Sequence, residues 1–230
     1  MGRILFNSSI LWSNQIKCVK KKVYIFINGI FNWPSRPDEW TDRAVTWTHT
    51  KTHHYAEKIE YFTTIINPGK LRSIRAKKIS RMIEFYDKEN WDLVMVGHSN
   101  GCEMILKILE DTGRSAESIH LISAACDEDF GTNGLNQKLM DNRIGKIHLY
   151  GSNEDYVLKL ASYCNWLANI FALNYGLLGL NGPKNIEDSV KDRVLDHSNN
   201  SMGHSGWTRE KNVYTTIKNI MVNDDVEIFI

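Results

Sequence analysis

Val23 to Ile27 is an unbroken apolar run behind Lys20 to Lys22, and Asn28-Gly29 stops it with a turn signal. Further runs of this kind, at Trp91 to Val96, Ile119 to Ile122 and Ile147 to Tyr150, predict buried strands. Ile59 to Ile66, stopped by Asn67-Pro68-Gly69, predicts another, and Arg193 to Asp196 a weaker one. Between them the period changes. From Leu71 onward, Ile74, Ile79, Met82, Ile83 and Tyr86 follow helical spacing. Cys102, Ile105, Leu106 and Leu109 fall on one helical face that Gly113 ends, and Thr208 to Met221 predicts a closing helix. Strands apolar throughout, alternating with amphipathic helices, predict an α/β fold with a mostly parallel sheet covered on both faces. Ligands in open sheets of this kind bind beyond the carboxyl ends of the strands. The residues just after each run are therefore the candidates for chemistry.

Composition narrows the classes. The chain has 230 residues, 42% hydrophobic and 24% charged, which suits one globular domain and excludes a disordered chain. Lys and Arg number 28 against 27 Asp and Glu, so there is no net basic field to hold nucleic acid. Cys18, Cys102, Cys126 and Cys164 form no C-x-x-C pair and read as reduced or buried thiols. Met1 to Cys18 carries only Arg3 before an apolar stretch that Ser8, Ser9, Ser13 and Asn14 interrupt. That is a poor secretory signal, so the chain reads as cytoplasmic and as starting near Met1.

Gly97-His98-Ser99-Asn100-Gly101 fits G-x-S-x-G directly after one apolar run and directly before an amphipathic helix. That is the strand–turn–helix setting of a nucleophile elbow. A serine on such a turn projects its hydroxyl above the sheet, and the flanking glycines remove side chains where strand and helix approach closely. The hydroxyl needs a base. His98 is too near in sequence, and reads as a packed or solvent histidine. His204, in Gly203-His204-Ser205-Gly206, follows the last weak strand and is the better base. Ser205 lacks both the preceding strand and a glycine two residues on, so it is given no chemical role. An acid must hold the base in one tautomer. Asp155, after the Ile147 to Tyr150 run, is favoured, with Glu154, Asp127 and Asp129 as alternatives. Two backbone donors for an oxyanion are expected at Asn100 and at Ile30, or else Phe31.

These pieces resemble the α/β-hydrolase-fold serine hydrolases, and in particular compact bacterial and phage-type hydrolases. The resemblance covers Lys21 to Trp207. It rests on Asn28-Gly29-Ile30-Phe31-Asn32, the Gly97 to Gly101 motif, Ala124-Ala125-Cys126-Asp127, Leu149 to Asp155 and Gly203-His204-Ser205. One departure is Asn28, where such enzymes often carry histidine in a His-Gly pair. The order Ser99, Asp155, His204 is the one expected of this arrangement. The resemblance implies hydrolysis of an ester or related acyl substrate, small or lipid-like, without cofactor or metal. The rival is a non-catalytic binding module on the same fold.

Three other features were candidates. His49 and His53 lie four apart, with His54 beside them. They have no H-E-x-x-H frame or third ligand, and read as surface histidines. Trp33, Trp40 and Trp47 recur seven apart, but Pro34 and Pro37 defeat a heptad. Phe31 and Trp33 are expected to line the substrate, the tryptophans otherwise packing under the loop. Leu160 to Leu180 has no charged residue. Asn165, Asn169, Asn174 and two glycines argue against a membrane span, so a small lid over 157–184 is expected, with Trp166 facing the acyl group.

Overall fold

The computed structural model describes residues 20–29, 39–59, 79–86, 89–168 and 176–229, with backbone alone at 164–168. Among the described residues six strands form one sheet: β1 (Lys22–Ile27), β2 (Tyr55–Ile59), β3 (Asp92–His98), β4 (Ala116–Ile122), β5 (Ile144–Tyr150) and β6 (Val194–Asp196). The order is β2-β1-β3-β4-β5-β6 and every pair is parallel.

Alternation along the apolar strands divides the interior into two cores. Val23, Ile25 and Ile27 of β1 face one side, with Met95 of β3. Helix α2 (Asn100–Thr112) and helical residues 79–86 cover them. Tyr24 and Phe26 face the other side, with Val94 and Val96, under α1 (Trp40–Lys51) and the C-terminal helix. All five side chains from Val23 to Ile27 are fully buried. Each of the aliphatic ones contributes about 1.5–3 kcal/mol relative to exposure. Within 79–86, buried Ile79, Ile83 and Tyr86 keep the helical spacing that the sequence predicted.

The remaining helices among the described residues are, in chain order, α3 (Leu135–Met140), α4 (Tyr156–Ala168), α5 (Leu178–Asn181) and α6 (Glu210–Asn223), with a 3-10 turn at Asp188–Arg193. Among the described residues no helix is long and apolar enough to cross a membrane. Residues 169–175 of the uncharged stretch lie outside the described residues.

One strand, Tyr55–Ile59, was not expected from the apolar runs, and the expected run Ile59 to Ile66 lies beyond Ile59 outside the described residues, as do all of residues 60–78. Among the described residues β2 is an edge strand paired with β1 alone, so it does not need two apolar faces. Its Glu57 accepts a hydrogen bond from the Tyr86 hydroxyl, and its Lys58 pairs with Asp42 at 2.6 Å. The charges of this strand hide it from a search for apolar runs.

The chain runs from β1 out to β2 at one edge, then crosses back to β3 on the other side of β1. The carboxyl ends of β1 and β3 therefore meet at a topological switch point, where a crevice opens. Asn28-Gly29 leaves one end and His98-Ser99 the other.

Candidate active site

Ser99 sits between β3 and α2 with φ 56° and ψ −123°, a left-handed conformation costly for a residue with a side chain. Neighbouring backbone holds it there. Its N–H donates to Ile122 O at 2.8 Å, and its carbonyl accepts from Cys102 N–H at 3.1 Å and Ala125 N–H at 3.2 Å. Close approach dictates the glycines nearby. A Cβ on Gly101 would lie 2.5 Å from Ile27 O and 2.7 Å from Asn28 O. A Cβ on Gly29 would lie 2.9 Å from Ser99 Cβ. The loop after β1 thus lies directly against the serine.

His204 Nε2 is 3.0 Å from Ser99 Oγ, and His204 Nδ1 is 2.8 Å from Asp155 Oδ2. The carboxylate accepts at Nδ1, which leaves the Nε2 lone pair facing the hydroxyl. Asp155 is fully buried at the end of the loop after β5. Its second oxygen, Oδ1, accepts Leu158 N–H at 2.9 Å and so caps α4. One side chain thereby anchors a helix with one oxygen and orients His204 with the other.

The competing carboxylates are occupied elsewhere. Glu154 is exposed beside Lys159 at 3.3 Å. Asp127 accepts Asp129 N–H and the Thr132 hydroxyl, both at 3.0 Å. Asp129 accepts Gly131 N–H at 2.8 Å and the Asn185 amide at 2.7 Å, closing the turn after β4. Ser205 is exposed, and its carbonyl accepts Arg209 N–H at 3.0 Å. Asn100 opens α2 next to the serine. Ile30, Phe31 and Trp33 lie outside the described residues, as does the Trp166 side chain.

Two supporting residues escaped the sequence reading. His98 is buried, and its Nε2–H donates to the carbonyl oxygen of His204 at 2.9 Å. Burial, and then the neighbouring His204, push its pKa down to about 4, so the ring is neutral at pH 7. Asn28 braces the β1 loop. Its Oδ1 accepts Gly29 N–H at 2.8 Å and Trp40 Nε1–H at 2.9 Å, while its Nδ2 donates to Glu39 Oε2 at 3.1 Å. Trp40 is thereby fixed in the core, edge-on to Phe26, and Trp47 packs against the same core.

No protein-family model matches the chain, and no curated protein matches its sequence. Solved structures do match in shape. An uncharacterized protein from Bacillus cereus ATCC 10987 superposes with TM-score 0.56 at 11% identity, covering 98% of this chain. This chain spans only 64% of that protein's length. The butyrate-bound esterase Est2 of Thermogutta terrifontis superposes with TM-score 0.51 at 12% identity over 89% of this chain and 84% of its own. BioJ, a Francisella virulence factor, gives TM-score 0.50 at 13% identity over 91% and 78%. The fold is that of the α/β-hydrolases.

A hollow of about 310 Å³ opens beside His204, walled by Tyr156, Val157, Met202, Arg209 and Asn212. Cys102 and Cys126 are buried free cysteines whose thiols burial pushes up, which keeps them protonated. Cys18 and the Cys164 side chain lie outside the described residues. The histidines near α1 serve the backbone. His49 Nε2 accepts Ala56 N–H at 3.0 Å, and His54 Nδ1 accepts Lys22 N–H at 3.1 Å.

A second polar cluster lies under α6. His120, His148 and Asp224 bring ligand-type atoms within 4.8 Å of one another. The two rings stack at 4.4 Å between centroids and 9° between planes. An imidazole lone pair lies in its ring plane, so parallel stacked rings cannot both point at one ion about 2 Å away. The arrangement is instead a hydrogen-bonded network. Asp224 accepts from Ser118 Oγ at 2.7 Å, Tyr24 OH at 3.0 Å and His120 Nε2 at 3.1 Å. Burial would raise the Asp224 pKa, but His120, Ser118 and Lys22 overcome it and hold it at about 2.

Proposed function

We propose that this α/β-hydrolase is a serine hydrolase that cleaves carboxylic esters through an acyl-enzyme. The observation that carries the reading is the hydrogen-bonded chain from Asp155 through His204 to Ser99 on a strained turn. Ser99 Oγ attacks the carbonyl carbon and His204 Nε2 takes its proton. The imidazolium that forms is stabilised by the buried Asp155 carboxylate. His204 then protonates the leaving alcohol, and water reverses the sequence to free the acid. The negative oxygen of each tetrahedral intermediate is received by backbone N–H groups, at Asn100 and, on the sequence expectation, at Ile30. His98 holds the base loop through the His204 carbonyl. Tyr156 and Val157 of α4 line the hollow at His204, which suits α4 to act as a small lid within a single domain. The similarity to Est2, an esterase seen with butyrate, supports a short acyl group as the starting point.

The test is labelling with a fluorophosphonate serine probe, followed by turnover of p-nitrophenyl esters of rising chain length. Ser99→Ala should abolish labelling and turnover with the fold intact, while Ser205→Ala retains both. A folded wild-type chain that neither labels nor turns over any ester would favour the binding-module alternative.

A further inference from the structure

The loop 197–207 and the outer flank of α6 enclose a second hollow, of about 760 Å³. Its wall contains no Asp, Glu, Lys or Arg. It is instead rich in carboxamides: Asn199, Asn200, Asn212, Asn219 and Asn223 all line it, around a floor that includes Trp207. Two of these amides serve the protein. Asn212 Nδ2 donates to Gly206 O at 2.7 Å, and Asn223 Nδ2 donates to Tyr150 OH at 3.0 Å. The other three face solvent with bonding capacity unspent. Asn199 Oδ1 accepts from Ser201 and Asn200 Oδ1 accepts from Asn153 N–H, which leaves both NH₂ groups available. Asn219 makes no side-chain hydrogen bond among the described residues. Of the two ionisable rings in the wall, burial pushes the pKa of His197 down and that of Tyr150 up, so this lining carries no charge at neutral pH.

A lining of this kind selects by chemistry. A charged ligand would give up hydration and gain no counter-charge. A wholly apolar one would leave amides buried without partners. The fitting ligand is uncharged, carries donors and acceptors around its rim, and has C–H faces to set against Met202 and Val222. A pyranose ring has these properties. We propose that this hollow binds a neutral oligosaccharide. Met202 and Asn212 also wall the hollow at His204, so a glycan seated here lies next to the proposed hydrolytic site. Binding itself does not depend on the hydrolase reading.

The experiment uses the full chain carrying Ser99→Ala, so that turnover cannot confuse binding. Calorimetric titration with cellotetraose, maltotetraose, xylotetraose and chitotetraose is compared with tetragalacturonate and tetra-alanine. Saturable binding of at least one neutral tetrasaccharide is expected. Asn200→Leu and Asn219→Leu should each weaken it about fivefold or more, as for the loss of one or two hydrogen bonds. Asn219 is exposed and Asn200 gives up one exposed hydrogen bond, from Asn153 N–H, so melting temperature should be unchanged for Asn219→Leu and fall only slightly for Asn200→Leu. The proposal is overturned if no neutral tetrasaccharide binds at millimolar concentration, if neither substitution weakens binding, or if the peptide or the uronate binds better. Loss of the esterase reading would show as absent serine labelling in the wild-type chain, with saccharide binding retained.

Discussion

Asp155→Asn changes one buried oxygen to nitrogen and should nearly stop turnover. The wild-type carboxylate has both oxygens engaged, Oδ2 on His204 Nδ1 at 2.8 Å and Oδ1 on Leu158 N–H at 2.9 Å. An asparagine can keep the helix cap only with its oxygen toward Leu158, which turns its NH₂ toward the ring. The flipped amide would set N–H against N–H in a site with no solvent, at a cost of about 1–3 kcal/mol. The amide therefore donates to Nδ1, and the ring must carry its proton on Nε2. That N–H then points at Ser99 Oγ, 3.0 Å away, and cannot accept the serine proton. The protease template gives about 10⁴ for the same tautomer error, which is about 5.5 kcal/mol in the barrier. The assay is kcat/KM on p-nitrophenyl butyrate for Asp155→Asn, Glu154→Gln and Asp127→Asn, with folding followed by circular dichroism. Glu154→Gln and Asp127→Asn should stay within a few-fold of wild type, because neither side chain reaches His204. A folded Asp155→Asn protein within threefold of wild type would refute the argument.

Gly101→Ala places a methyl 2.5 Å from Ile27 O and 2.7 Å from Asn28 O, both backbone, so strand or helix must move. The expected result is a destabilisation of about 1–3 kcal/mol in urea denaturation, with loss of serine labelling; unchanged stability and labelling would contradict it. Stability should also fall with acid. The folded-state pKa of His98 is lowered to about 4, so between pH 6.5 and 4 the unfolded chain holds a proton that the folded chain refuses. Its contribution is full above pH 6.5 and is lost as pH falls, amounting to about 3 kcal/mol at pH 4. Burial and the nearby His120 lower His148 to about 3, which acts in the same direction. Denaturation at pH 7, 5.5 and 4 should show the decline, and a flat profile would mean these rings are not held neutral.

Apolar runs and a five-residue motif are local, and the sequence displays them directly. Val23 to Ile27 reads as a strand because both its faces are buried, and buried strands need apolar residues at every position. Ser99 reads as special because Gly97 and Gly101 mark a crowded turn within five residues. Tyr55–Ile59 did not read as a strand, because an edge strand keeps its charges on solvent and on Asp42. Which carboxylate faces His204 was open in the sequence. Asp127, Asp129, Glu154 and Asp155 all follow strands, and only the packing of loops 49 residues apart brings Asp155 Oδ2 to the ring. His98 looked incidental beside Ser99 until its ring met a carbonyl 106 residues away. His120 and His148 were hidden inside apolar runs, yet adjacent strands in register stack them over Asp224. Local pattern encodes what each segment buries. Which polar atoms then meet is decided by strand order and loop closure, which join distant residues that share no pattern in the chain.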